Sequence, residues 1–130
     1  MATGHDGTNV GFLKAVPVLV VEDGWHVARA LKSTLEQMGM LVVGPTATTA
    51  EARSLTAAQS PRLAVVDINL KQETSRVLID ELHQQGVQVI VISGYAAPAV
   101  SKDRVAAFLQ KPFSGTELIT TMLRVLDSRC

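Results

Sequence analysis

The sequence predicts an α/β domain wound around a parallel sheet, and three observations predict it. Short apolar runs recur along the chain, chief among them P-V-L-V-V at Pro17 to Val21, L-A-V-V-D-I-N-L at Leu63 to Leu70 and V-Q-V-I-V-I at Val87 to Ile92. Runs this rich in Val and Ile suit strands covered on both faces, as parallel strands are. Between them, apolar residues return at the spacing of an amphipathic helix. Five strand patterns alternating with about five helical ones imply right-handed crossovers, which place helices on both faces of the sheet.

The elements follow in order. Pro17 to Val21 is the first strand, with proline tolerated at its start. Val27, Leu31, Leu35 and Met38 then share one helical face, and Gly39 is its terminator. Leu41 to Val43 is a short second strand, stopped by Gly44-Pro45. Thr48 with Glu51 is a capping-box signature; the helix it opens carries Ala52, Leu55 and Ala58 and must end before Ser60-Pro61. Leu63 to Leu70 is the third strand, interrupted near its end by Asp67. Val77, Leu78 and Leu82 mark a helix closed by Gly86, and Val87 to Ile92 is the fourth strand. Tyr95 to Val105 contains Pro98 and no apolar stripe, so a short or irregular helix is expected there. Ala106 to Leu109 is the fifth strand. Ser114 with Glu117 is a second capping box, and Leu118, Ile119, Met122, Val125 and Leu126 form the strongest amphipathic stripe in the chain.

Composition bounds the function classes. A chain of 130 residues, 47% apolar and 18% charged, has room for one domain with a single core. Twelve basic residues balance twelve acidic ones, which leaves no electrostatic footprint for nucleic acid or an anionic membrane. Cys130 is the sole cysteine, so no internal disulfide or multi-cysteine metal site can form, and a reducing, cytoplasmic compartment is expected. No apolar stretch approaches the roughly 18 residues of a membrane span. Residues 1–14 read as a flexible N-terminal tail docking through Phe12 and Leu13, without the regions of a signal peptide, and 15–130 as the domain.

The chemistry gathers at the strand ends. The first strand runs into Glu22-Asp23, the third ends at Asp67, the fourth at Ser93-Gly94 and the fifth at Lys111-Pro112. In a parallel sheet these ends share one edge, where open α/β sheets bind their ligands. Unit charges about 4 Å apart repel by about 4 kcal/mol at an effective dielectric of about 20. Three carboxylates therefore need a cation or raised pKa values. Oxygen donors without His or Cys suit Mg²⁺. Lys111, the Ser93 hydroxyl and a backbone N–H beside Gly94 are donors for phosphoryl oxygens. Asp67 can itself be a nucleophile, forming an aspartyl phosphate.

These motifs, V-L-V-V-E-D, A-V-V-D-I-N-L, V-I-S-G-Y and F-L-Q-K-P-F, resemble those of the receiver domain of two-component response regulators, from about Val16 to Asp127. The resemblance implies a flavodoxin-like (βα)5 doubly wound sheet with strand order 2-1-3-4-5. It also implies that Asp67 is the phosphoacceptor and that Glu22, Asp23, Asp67 and the backbone carbonyl of Asn69 hold Mg²⁺. Ser93 takes the place of the switch Ser/Thr, and Phe108 that of the switch aromatic. Lys111 pairs with the phosphoryl group, with Gly94 beside it. The implied partners are a histidine kinase or histidine phosphotransfer protein as donor, and a downstream protein target; a homodimer is compatible with this reading. Three departures stand out. Lys71-Gln72-Glu73-Thr74 occupies the loop where many receivers carry Met-Pro and Asp-Gly. The segment from Gly94 to Val105 is short, so the fourth helix is expected to be reduced or unwound. Phe108 lacks the hydroxyl of the more frequent tyrosine, so its switching would depend on burial alone.

Three classes compete. The first is a stand-alone receiver, not an enzyme beyond self-catalysed phosphotransfer and autodephosphorylation. With no sequence left over for an output domain, its output would be a protein contact. The second is a degenerate receiver serving only as a docking module. The third is a haloacid-dehalogenase-like phosphatase, which would want an acid at the position of Asn69. A dinucleotide-binding domain fails because Glu22-Asp23-Gly24 stands where a glycine-rich turn is required. His5, His26 and His83 read as surface residues, Trp25 as a partly exposed aromatic, and Tyr95 as a loop residue near Ser93. Arg53, Arg62, Lys71 and Arg76 read as solvated charges.

Overall fold

The computed structural model describes residues 10–94 and 102–127. β3 (Leu63–Asp67) is the central strand, buried at all five positions. β1 (Pro17–Val21) pairs along one side of it and β4 (Gln88–Ser93) along the other, with β2 (Leu41–Thr46) and β5 (Ala107–Gln110) at the edges. The order is β2-β1-β3-β4-β5 and every pair is parallel. This is the flavodoxin-like winding that the resemblance implies; the apolar runs account for its burial on both faces, because strands without polar alternation have no face to give to water.

Among the described residues four α-helices cover the sheet: α1 (Trp25–Gln37), α2 (Thr49–Gln59), α3 (Arg76–Gln84) and α4 (Gly115–Asp127). Alternate strand residues feed opposite layers. Val18, Val20, Val65, Ile90 and Ile92 pack with Leu31 and Leu35 of α1 and Leu118 and Met122 of α4. Leu19, Val21, Val66, Val89 and Val91 pack with Ala52 of α2 and Leu78, Ile79 and Leu82 of α3. The capping box at Ser114 closes in both directions, Ser114 N–H to Glu117 Oε1 at 2.9 Å and Glu117 N–H to Ser114 Oγ at 3.0 Å. At Thr48 only half of the box forms: its hydroxyl accepts from Glu51 N–H at 3.2 Å, while the Glu51 carboxylate takes the Thr46 hydroxyl.

Several local expectations are corrected. β2 does not stop at Gly44-Pro45 but continues to Thr46, with a register shift opposite Leu19 to Val21. Gly44 makes this path possible at φ +96, where a Cβ would lie 2.9 Å from Thr46 N. Pro45 costs no ladder bond that the sheet needs, because β2 is an edge. Val77 is 62% exposed, and Ile79 takes the inward place instead. Ala58 is exposed too, and Thr56 is buried in its stead with its hydroxyl on Ala52 O at 2.7 Å.

Between β4 and β5 the described residues hold one 3-10 turn, Lys102–Arg104, followed by Val105, and 95–101 of the Tyr95 to Val105 expectation lie outside them. Upstream of β1, Val10–Leu13 is another 3-10 turn, and Leu13 is fully buried in the core. The Phe12 side chain and residues 1–9 lie outside the described set.

Candidate functional site

Parallel winding delivers the ends of β1, β3, β4 and β5 to one edge, and the local backbone fixes what each presents there. Glu22 follows β1 directly, its N–H held by Thr46 O at 2.9 Å. Its carboxylate turns back so that Oε2 accepts the Gly24 N–H at 2.9 Å. Asp67 is the last residue of β3, and its Oδ1 accepts the Asn69 N–H at 3.1 Å. Lys111 follows β5, anchored by its N–H to Ser93 O at 2.7 Å. From there its ammonium reaches Glu22 Oε1 at 2.8 Å and Asp67 Oδ2 at 2.8 Å. Glu22, Asp23 and Asp67 each offer a carboxylate oxygen within 4.8 Å of the others.

The balance of charge in this pocket is unfavourable for a site left to itself. The Glu22 and Asp67 side chains are only 2% and 7% exposed. Burial pushes the Glu22 carboxyl above its ordinary 4.5, with the Asp67 charge adding to it and the Lys111 and Gly24 hydrogen bonds opposing. For Lys111, burial works against the charged form, but hydrogen bonds to Asp67 and Glu22 win and raise its pKa. One ammonium thus faces three carboxylates. Among the described residues, Glu22 Oε1 has no hydrogen-bond donor beyond its ion pair with Lys111. A cluster of hard oxygen donors with excess negative charge, lacking nitrogen and sulfur, fits Mg²⁺.

The loop after β3 closes over the pocket as a small hairpin. Asn69 and Thr74 bridge in antiparallel fashion, and Leu70 N–H donates to Glu73 O at 3.0 Å. The Lys71 N–H donates to Asp23 Oδ2. Ser75, with no exposed surface, donates its hydroxyl to Asp67 O at 2.7 Å and its N–H to Ile68 O at 2.9 Å. Sequence reasoning missed Ser75, Glu73 and the Lys71 amide, because none stands at a strand end. Their partners come within reach only after the loop folds back.

The remaining expected residues fall at the same edge with different exposure. Ser93 ends β4 and is buried, next to Ile92, whose carbonyl accepts the Ile68 N–H at 3.1 Å. Gly94 is exposed, and a Cβ there would meet nothing within 4 Å. Phe108 lies opposite Val91 on the edge strand and is 37% exposed. Trp25 is 61% exposed at the start of α1, stacked on His26 with centroids 4.0 Å apart and Arg29 over its ring. Tyr95 lies outside the described residues.

Comparison with known proteins decides the family. Residues 18–123 match the model of the response regulator receiver domain. The chain belongs to the response regulator receiver domain family. Such receiver domains are signalling modules of two-component systems. This receiver domain is 36% identical over 121 residues to the C4-dicarboxylate transport transcriptional regulatory protein DctD of Pseudomonas aeruginosa. That match covers 86% of the chain and 25% of DctD, so the chain spans about a quarter of the relative's length. A mutant of the anti-anti-sigma factor PhyR from Bartonella quintana superposes with a TM-score of 0.80 at 22% identity, over 95% of this chain and 53% of that one. A CheY-like receiver domain protein from Methanospirillum hungatei JF-1 gives a TM-score of 0.76 at 24% identity, over 88% of this chain and 96% of that one. Among the described residues no helix is long and apolar enough to cross a membrane.

Proposed function

We propose that this receiver domain accepts a phosphoryl group on Asp67 from a phosphohistidine donor, a histidine kinase or histidine phosphotransfer protein, in a cytoplasmic two-component pathway. The observation that carries the reading is the Lys111 ammonium, 2.8 Å from both Glu22 and Asp67 inside a cluster of three carboxylates. Asp67 Oδ attacks phosphorus, the P–N bond of the donor breaks, and its electron pair stays on the imidazole nitrogen, which takes up a proton. Glu22, Asp23, Asp67 and the Asn69 carbonyl would hold Mg²⁺, which when bound supplies countercharge to the phosphoryl oxygens. Lys111, the Ser93 hydroxyl and the Gly94 N–H are the protein's own partners for those oxygens. The family match favours this reading over the phosphatase alternative. Exposure to a small phosphodonor with Mg²⁺ should raise the intact mass by one phosphoryl group. No increase at any Mg²⁺ concentration would leave the docking-module reading in its place.

Two further results are expected. Mg²⁺ should perturb the fluorescence of Trp25, two residues beyond Asp23, and Glu22→Gln with Asp23→Asn should remove most of the change. An unaltered titration in that double variant would place the ion elsewhere. In the proposed switch, Ser93 is drawn toward the phosphoryl group, and the half-exposed Phe108 turns into the space vacated, altering the surface offered to a protein target. Ser93→Ala should keep phosphorylation yet blunt the phosphorylation-dependent change in the β5 amide signals. Full change in that variant would remove Ser93 from the switch.

A further inference from the structure

Beyond the hairpin's own backbone hydrogen bonds, no glycine or proline in residues 68–75 fixes their path from β3 to α3. The path is nevertheless pinned from outside the loop. Glu73 reaches across to the first turn of α2, where its carboxylate accepts the Thr49 N–H at 3.0 Å and the Thr49 hydroxyl at 2.6 Å. That N–H belongs to the set a helix start leaves without intrahelical partners, and the helix dipole favours an anion there. Thr48 already covers the Glu51 N–H, so the two side chains divide the work of capping. Arg53, one turn on, adds positive charge: its Nη1 is 3.4 Å from Thr49 Oγ1, and its Nε binds Glu81 at 2.7 Å. Consistent with this, the hydrogen bonds from Thr49 hold the Glu73 carboxyl below the usual range. Thr49 itself is buried, which makes it a firm anchor.

Opposite this anchor, the same loop meets the acidic pocket. The Lys71 N–H donates to Asp23 Oδ2, and the Asn69 N–H donates to Asp67 Oδ1 at 3.1 Å. Both donors belong to the hairpin whose other strand carries Glu73. We infer that Glu73 is a positioning residue for the acidic site: by clamping the hairpin to Thr49, it fixes where the loop meets Asp23 and Asp67. As a statement about Mg²⁺ and phosphoryl transfer, this rests on the function proposed above. The contact links the pocket to α2, a helix that contributes no side chain to it.

The test compares Glu73→Ala, Glu73→Gln and Thr49→Val in the full chain. Without metal or phosphodonor, Glu73→Ala should speed amide exchange at Thr49, Asn69 and Lys71 by about tenfold, as expected for losing charge-assisted hydrogen bonds. Titrated with Mg²⁺ and followed by amide chemical shifts, it should bind about tenfold more weakly, the lower end for losing a partner that orients metal ligands. With a small phosphodonor, the Mg²⁺ concentration for half-maximal rate should rise by the same factor, while the rate at saturating Mg²⁺ stays within about twofold. Glu73→Gln, whose amide oxygen still accepts the Thr49 N–H, should recover most of the loss, and Thr49→Val should fall between the two. The inference is overturned if Glu73→Ala binds Mg²⁺ like wild type, if only the saturating rate falls, or if Gln is no better than Ala. Should the wild type bind Mg²⁺ but take up no phosphoryl group, the proposed function fails, while the exchange and Mg²⁺ measurements still decide the clamp.

Discussion

Asp67→Asn is expected to abolish phosphoryl incorporation while leaving the domain folded. An amide oxygen is a far poorer nucleophile than a carboxylate, and among the described residues no other carboxylate combines a place at the end of the central strand with the Lys111 ammonium at 2.8 Å. Glu22 shares the ammonium and, like Asp67, gives its second oxygen to a backbone N–H, but it follows β1 and not the central strand. Incorporation measured by intact mass should therefore fall to background, a loss of at least about a hundredfold. Stability should change little. The substitution removes one carboxylate from a crowded site and also one ion pair, opposing effects that leave a shift within about 1 kcal/mol in urea unfolding. Phosphorylation of the Asn variant to the wild-type extent would mean that the acceptor lies elsewhere.

What the chain discloses of itself depends on how local the cause is. β1 can be read off Pro17 to Val21 to the residue, because a buried strand needs only an unbroken apolar run. The pocket is legible for a related reason: once the winding is known, Glu22, Asp67 and Lys111 must meet at the carboxyl edge, and they do. The second strand is not legible past Gly44-Pro45, because its continuation depends on being an edge, a property of the assembled sheet rather than of those residues. Val77 misleads because it is apolar yet lies about 200° around the helix from Ile79, on the side of Asp80 and Glu81, while Leu78, Ile79 and Leu82 face the core. Ser75 and Glu73 are illegible for the strongest reason. Each acts on a backbone group made reachable by the folded loop, Asp67 O for one and Thr49 N–H for the other.

Lys111→Met should expose how much of the pocket's stability rests on one ammonium. The variant leaves the Glu22 and Asp67 carboxylates facing each other, both nearly inaccessible to water. A buried charge deprived of its partner carries its full desolvation cost, so a loss of about 1–3 kcal/mol is expected in metal-free buffer at neutral pH. The sign with pH follows from the group that then controls the site. Glu22 already titrates above its ordinary 4.5, and without the ammonium it should titrate higher still. A carboxyl with a raised folded pKa contributes stability below its unfolded value and loses it as pH rises through the folded one. The deficit of Lys111→Met should therefore be smallest in mild acid and widen toward neutrality. Lys111 gives no comparable slope in the wild type near neutrality, since its own pKa is raised and its charge persists until strongly alkaline pH. Two restorations follow. Adding Glu22→Gln to Lys111→Met should recover most of the lost stability at neutral pH, because it removes the charge that lacks a partner. Millimolar Mg²⁺ should stabilise Lys111→Met but not the same variant carrying Glu22→Gln and Asp23→Asn, because a cation bound only to the folded pocket stabilises it by mass action. Equal deficits at acid and neutral pH, with no recovery from either restoration, would mean that Lys111 acts through packing of its aliphatic stem and not through its charge.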